Sequence, residues 1–307
     1  MDTEVIKQKL GVKSLTPFGS STGGCISSAH CYNTDKYGDV FIKYNSKNGA
    51  KLMFDGEFAS LEAMNKTDTI HVPKPIMTIC EGASCCLVTE YLNLNGSSKP
   101  IQLGKDLARM HLHNKSLMEA AHRAEGFVGG PNKVSEPVKQ FGFHIDTCCG
   151  FIPQLNEWCD NWVEFFTRNR LKAQIDMILE KTGDRDLKEA WPLLERKIPD
   201  YFSDCDSIIP SILHGDLWSG NYSYDSAGPV IFDPASFYGH SEYEMGIMKM
   251  FGGFSGSVFS AYHELIPKTK GFSDRVELYE LFHHLNHWNH FGSGYKYGAM
   301  GLIKKLS

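Results

Sequence analysis

The chain has 307 residues, 42% of them hydrophobic, enough for two packed domains or one large one. Lys and Arg total 31 against 36 Asp and Glu, a net charge of −5, which argues against nucleic acid or another polyanion as the main partner. No apolar run is long enough to span a bilayer, and Met1-Asp2-Thr3-Glu4-Val5 shows no leader pattern, so a cytoplasmic protein with no membrane partner is expected.

In chain order, Phe18-Gly19-Ser20-Ser21-Thr22-Gly23-Gly24-Cys25-Ile26 comes first, as a glycine-rich hairpin candidate. Glycines there would let backbone N–H groups approach phosphate oxygens, although a plain hairpin turn explains the same residues. Val40-Phe41-Ile42-Lys43-Tyr44 reads as a strand after a turn at Tyr37-Gly38-Asp39. Residues 50–66 read as a helix with Phe54, Phe58 and Leu61 on one stripe, broken by Val72-Pro73-Lys74-Pro75. Residues 85–92 form a second apolar strand, and 93–98 a linker. The remainder is mainly helical, with Leu103, Leu107 and Met110 in one helix. Phe165, Ile175, Ile178 and Leu179 mark a longer helical stretch, and Val276, Tyr279, Leu281, Phe282 and Leu285 another. Residues 119–139, rich in Gly, Pro and charge, read as a long loop.

The expected architecture is α+β and two-lobed. A small N-terminal antiparallel sheet lobe with one helix (1–92) joins a larger, mostly helical lobe (99–307) through a hinge at 93–98. A cleft between lobes is a usual place for a ligand.

The nine cysteines include the neighbours Cys85-Cys86 and Cys148-Cys149 but no CxxC pair. Adjacent cysteines make poor disulfide partners, and reduced, mostly buried thiols are expected.

The chemistry concentrates in His214-Gly215-Asp216-Leu217-Trp218-Ser219-Gly220-Asn221, followed by Ile231-Phe232-Asp233. Asp216 and Asn221 are five residues apart, the spacing of the base and the metal ligand in a kinase catalytic loop. Phosphoryl transfer needs a carboxylate to take the acceptor's proton, which suits Asp216. It also needs hard oxygen ligands for Mg²⁺, which suits Asn221 and Asp233. Turn-forming Asp, Gly and Asn are common enough that this motif alone leaves an ordinary loop open. Lys43 ends a strand in a pattern close to V-A-I-K. Glu57 lies on the buried stripe of the next helix, where a carboxylate needs a cation, and Lys43 is the natural partner. Together, and in this order, these signals point to a protein-kinase-like fold using ATP.

The chain resembles the fructosamine-3-kinase and ketosamine-3-kinase family of the aminoglycoside-phosphotransferase-like kinases. The resemblance rests on Gly23-Gly24-Cys25-Ile26-Ser27, Met53-Phe54-Asp55-Gly56-Glu57, Phe141-Gly142-Phe143 and Thr147-Cys148-Cys149-Gly150. Further blocks are Leu213-His214-Gly215-Asp216-Leu217-Trp218, Phe232-Asp233-Pro234-Ala235-Ser236-Phe237-Tyr238-Gly239-His240 and Leu285-Asn286-His287-Trp288-Asn289-His290-Phe291. It implies ATP and Mg²⁺, and as substrate a ketoamine formed from a sugar and an amine, free or on a protein lysine. The family phosphorylates the sugar's 3-hydroxyl; a phosphate there is a good leaving group, so the product can eliminate it and release the amine. The resemblance implies Asp216 as base, Asn221 and Asp233 as metal ligands, and Lys43 with Glu57 as the phosphate-holding pair. It also implies Glu90, Tyr91 and Leu92 as the adenine-binding hinge, with Tyr91 where the family usually carries His.

Trp218 could stack on the sugar or simply pack between helices. His287 and Trp288 are candidates for ligand contact on a helix that also carries His283, His284 and His290; at least two aromatic or imidazole groups there should belong to the core. Cys25 in the glycine loop is a redox candidate, or an inert small residue in a turn. Another small-molecule kinase of the aminoglycoside or choline type, and a nucleotide-binding pseudokinase, are the competing readings. Monomer and homodimer are both compatible with the sequence.

Overall fold

The computed structural model describes residues 1–23, 27–125, 136–205 and 207–307. Helix α1 (Thr3–Leu10) begins where Asp2 accepts the Glu4 N–H at 3.0 Å and ends at Gly11, whose φ of +64° suits a residue without Cβ. Five strands follow: β1 (Leu15–Gly23), β2 (Ser28–Thr34), β3 (Gly38–Asn45), β4 (Pro75–Glu81) and β5 (Ser84–Glu90). They form one antiparallel sheet in the order β1-β2-β3-β5-β4, with helix α2 (Ala50–Asn65) between β3 and β4 in the chain.

Alternation assigns the two faces of the sheet. Val40 and Ile42 of β3 and Cys86 and Val88 of β5 pack with Ile6 and Leu10 of α1. Lys43 therefore points to the other face, toward α2, and a one-residue register slip would exchange the two sets. The sequence pattern shows one helix in this lobe. The structure adds α1, whose only buried side chains are Ile6 and Leu10, too short an apolar stripe to stand out.

Cys80 and Cys85 face each other across the β4–β5 hairpin and form a disulfide, with Cα atoms 4.1 Å apart. The expectation of reduced thiols fails for this pair. The hairpin turn, and not sequence adjacency, brings the two together. Cys86 and Cys149 are buried free thiols, as that expectation has them.

Residues 91–99 run without regular structure into α3 (Pro100–Glu125), and the Gly96 N–H donates to Tyr224 O at 2.8 Å. Leu103, Leu107 and Met110 of α3 are fully buried. The helix continues through Glu125, so 119–125 is helical where composition reads as loop. The breakers of that stretch begin only at Gly126, outside the described residues.

The larger lobe then builds the hairpin β6 (Thr147–Cys149) and β7 (Ile152–Gln154). A continuous helical stretch follows: α4 (Trp162–Phe166), a π-helical segment (Thr167–Lys172) and α5 (Ala173–Thr182). After α6 (Arg185–Lys197) come four short strands, β8 (Ser211–Ile212), β9 (Tyr222–Tyr224), β10 (Pro229–Ile231) and β11 (Tyr238–Gly239). Helices α7 (Glu244–Phe251), α8 (Gly256–Leu265), α9 (Phe272–Phe291) and α10 (Lys296–Leu306) complete the chain. Phe54, Leu61 and Met64 of α2 belong to the same core as Trp162, Phe237 and Tyr279, so α2 is anchored on the larger lobe.

Gly56 marks that contact. A Cβ on it would lie 2.8 Å from Asp146 O and 3.0 Å from Thr147 Cα. Gly→Ala inside a solvated helix gains about 1 kcal/mol. Here the sign reverses: Gly56→Ala loses about 1–3 kcal/mol, as overpacking does, and a denaturant titration reads this directly.

Candidate active site

Lys43 joins the two lobes. Its Nζ lies 2.5 Å from Glu57 Oε1 on α2 and 2.5 Å from Asp233 Oδ1, which follows β10. Glu57 is largely buried, and Asp233 is exposed. Burial opposes the charge on Lys43, but the carboxylates of Asp233 and Glu57 outweigh it and raise its pKa above the ordinary lysine value. Burial conversely lifts the Glu57 carboxyl, against the pull of Lys43.

Asp233 holds a φ of +60°, a left-handed conformation costing roughly 1–3 kcal/mol for a residue with Cβ. Its neighbours hold it there. Ala235 N–H donates to His214 O at 2.8 Å, and Ser236 N–H to Ser60 Oγ of α2 at 3.2 Å. Thr147 Oγ1 donates to Ser236 O at 3.2 Å, and Leu213 N–H to Phe237 O at 3.1 Å. The segment after Asp233 is thus stitched to α2, to β6 and to the strand before the catalytic-type loop.

That loop hangs on Glu244, the first residue of α7. Its carboxylate accepts the His214 N–H at 2.7 Å and the Gly215 N–H at 3.0 Å, and lies 3.5 Å from His111 Nε2. Burial works to raise the Glu244 pKa, but the neighbouring imidazoles of His111 and His214 and the His214 N–H hold it below the ordinary value. Asp216 N–H donates to His214 Nδ1 at 3.2 Å, so His214 carries its proton on Nε2, which donates to Phe232 O at 2.8 Å. Burial keeps His214 neutral.

Asn221 Nδ2 donates to Asp216 O at 2.8 Å, and Phe232 N–H donates to Asn221 O at 3.0 Å. With Nδ2 so engaged, Asn221 offers Oδ1 as its ligand atom, and Asp233 offers a carboxylate. Two hard oxygens at the end of one small hairpin are a donor set that fits Mg²⁺. Burial first, then the carboxylates of Asp233 and Glu244, push Asp216 well above the usual carboxylate range.

Beneath Asp216 lies a polar floor. Cys149 Sγ, an Asp216 oxygen and a His283 ring nitrogen fall within 4.8 Å of one another, and Asn286 Nδ2 donates to Cys149 Sγ at 3.1 Å. Burial keeps Cys149 a thiol and His283 neutral.

Trp218 is exposed beside the loop and His287 is partly so. Trp288 is only 4% exposed and packs in the core, so it is no ligand contact. One residue along a helix turns the side chain about 100°, which carries Trp288 away from the face of His287. His283 is buried too. In the segment expected to bind adenine, the Tyr91 N–H already donates to Asp39 O at 3.0 Å and is not free to donate to a base. Gly23 pairs with Ser28 at the end of the β1–β2 hairpin. Gly24, Cys25 and Ile26 lie outside the described residues, and with them the phosphate-loop and redox readings. Sequence reasoning missed Glu244, Ser60 and Thr147. The one signal for Glu244 is an acidic residue opening the apolar run Met245-Gly246-Ile247-Met248.

The model of the fructosamine kinase family matches residues 2–307. The chain belongs to the fructosamine kinases. This fructosamine kinase is 52% identical over 307 residues to ketosamine-3-kinase of Mus musculus, covering 99% of each chain. It is 39% identical over 294 residues to the chloroplastic protein-ribulosamine 3-kinase of Oryza sativa subsp. indica, covering 94% of this chain and 78% of the relative. A crystal structure of a Thermobifida fusca protein, provisionally named a fructosamine-3-kinase, superposes with a TM-score of 0.76 at 21% identity, covering 99% and 97% of the two chains. That likeness shows the fold, a protein-kinase-like phosphotransferase fold. As a fructosamine kinase the chain is a phosphotransferase with ATP as donor.

Proposed function

We propose that the enzyme is a ketosamine-3-kinase, transferring the γ-phosphate of ATP to the 3-hydroxyl of ribulosyl-, psicosyl- or fructosyl-amines, free or on a protein lysine. One observation carries the reading. Asp216, Asn221, Asp233, Lys43 and Glu57 form one connected constellation, in a chain 52% identical along its length to a ketosamine-3-kinase.

In this reading Asp216 orients the 3-hydroxyl and takes its proton as the oxygen attacks the γ-phosphorus. Lys43, held by Glu57, steadies the α- and β-phosphates, and Glu90 and Leu92 offer their backbone to adenine. Asn221 Oδ1 and the Asp233 carboxylate would hold Mg²⁺, which when bound neutralises phosphate charge. Trp218 and His287 line the sugar's side of the cleft. Residues 1–92 would form the ATP lobe, 93–98 the hinge and 99–307 the catalytic lobe. After phosphorylation, loss of a C1 proton gives an enaminol. This expels the C3 phosphate, and water then releases the amine from the resulting imine. The reading includes a cytoplasmic location and a monomer or homodimer. Among the described residues no helix is long and apolar enough to cross a membrane.

ATP turnover with Mg²⁺ tests the proposal, comparing ribulosyl-, psicosyl- and fructosyl-lysine with free lysine, choline and an aminoglycoside. Turnover confined to the ketoamines, with the product phosphate located on C3 by NMR, is the expected result. ATP binding without ketoamine-dependent turnover would mean a pseudokinase or another acceptor.

A further inference from the structure

A continuous surface of rings begins two residues from Asp216. Trp218 lies 5.9 Å, centroid to centroid, from Phe251 at the end of α7, and Phe251 lies 5.1 Å from His287 of α9. His287 in turn is 5.6 Å from Phe291 and 5.1 Å from Tyr295. Trp218 is 38% exposed, Phe251 40% and Phe291 60%, so this is a surface and not the edge of the core.

None of the four rings of this surface, Trp218, Phe251, His287 and Phe291, carries a fixed positive charge. Burial lowers the pKa of His287, leaving a neutral imidazole at pH 7. Lys249, on α7 with Phe251, is paired with Glu280 at 3.0 Å and Glu277 at 3.4 Å.

A ketoamine differs from a plain ketose at C1, which bears a secondary amine, protonated near neutral pH, and an alkyl tail. Only C2 and C1 separate that nitrogen from the phosphorylated C3. With the 3-hydroxyl at Asp216, the ammonium must lie close to the base, where Trp218 opens the ring surface. Ring faces attract cations, and they pack equally well against a methylene stem.

We propose that the Trp218–Phe251–His287–Phe291 wall binds the amine end of the ketoamine, the rings holding its ammonium and the lysine stem running along them. This rests on the ketosamine-kinase reading and deepens it: the wall is what distinguishes a glycated amine from an uncharged sugar derivative of the same shape. Its outer end, at exposed Phe291, leaves room for a tail that continues into a polypeptide.

The test compares a fructosyl- or psicosyl-alkylamine with its ether analogue, in which oxygen replaces the nitrogen and removes the charge. Cation–π attraction of about 0.5–2 kcal/mol corresponds to a preference of roughly 2- to 30-fold for the amine in kcat/KM. The variant carrying Trp218→Leu and Phe251→Leu keeps apolar bulk but loses the ring faces nearest the ammonium. Most of that preference should vanish, through KM for the ketoamine and not kcat. Should the double variant melt early, Trp218→Leu at its exposed site carries the same comparison. An unchanged preference in the variants, or equal use of amine and ether by the wild type, overturns the wall's role and leaves the kinase reading standing. No turnover of any ketoamine by the wild type overturns both.

Discussion

Asp216→Asn should lower kcat by about 10²–10⁴-fold, the usual worth of a positioned general base, while ATP still binds. The substitution keeps the side chain's shape and the Asn221 bond to the Asp216 backbone. It removes only the proton acceptor. The same change should raise the melting temperature. Burial and the carboxylates of Asp233 and Glu244 disfavour a charged Asp216 in the fold, so a neutral amide relieves a cost that the active site carries. Steady-state kinetics, nucleotide calorimetry and a thermal melt of one preparation test both halves. Retention of more than about a tenth of kcat would deny Asp216 the part of a base.

Glu244→Gln should destabilise the fold by about 2–5 kcal/mol and slow turnover with it. Two carboxylate oxygens accept two backbone N–H groups, those of His214 and Gly215. An amide can accept only one and turns a donor toward the other, leaving a buried N–H unpaired two residues from Asp216. The pH dependence has a definite sign. Glu244 titrates below an ordinary glutamate, so its contribution is complete above the ordinary glutamate pKa. The contribution disappears as pH falls through the lowered folded value. Denaturant midpoints of the two proteins should differ most near neutrality and converge in acid. Equal midpoints at pH 7 would show that the loop does not depend on this carboxylate.

Local periodicity made much of the fold and part of the site legible. Period two along Val40–Tyr44 turns Lys43 away from Ile42, and a 3.6-residue period along α2 carries Glu57 on the stripe of Phe54 and Leu61. Those two rules put both side chains on inward faces, because each needs only a few neighbouring residues, and the packing of α2 on the sheet brings them together. The irregular stretch 91–99 was legible for the same reason, as a run with turn formers between an apolar strand and a helix. The end of α3 was not, since composition averaged over 119–139 blurs a boundary that the first glycine, Gly126, sets.

The sequence by itself determined the two-lobed α+β architecture, the order of strand β3, helix α2 and strand β5, and the five-residue interval between Asp216 and Asn221. These are written in nearest neighbours and short repeats. Only the tertiary structure decided that Glu244 holds the loop 30 residues before it, that Asp39 takes the N–H of Tyr91, and that Trp288 faces the core. It also decided that Cys80 meets Cys85, and that Trp218, Phe251, His287 and Phe291 share one surface. Each of these depends on how separate elements pack or pair, and hydrogen-bond partners and packed rings are chosen by proximity in space, which no spacing along the chain encodes.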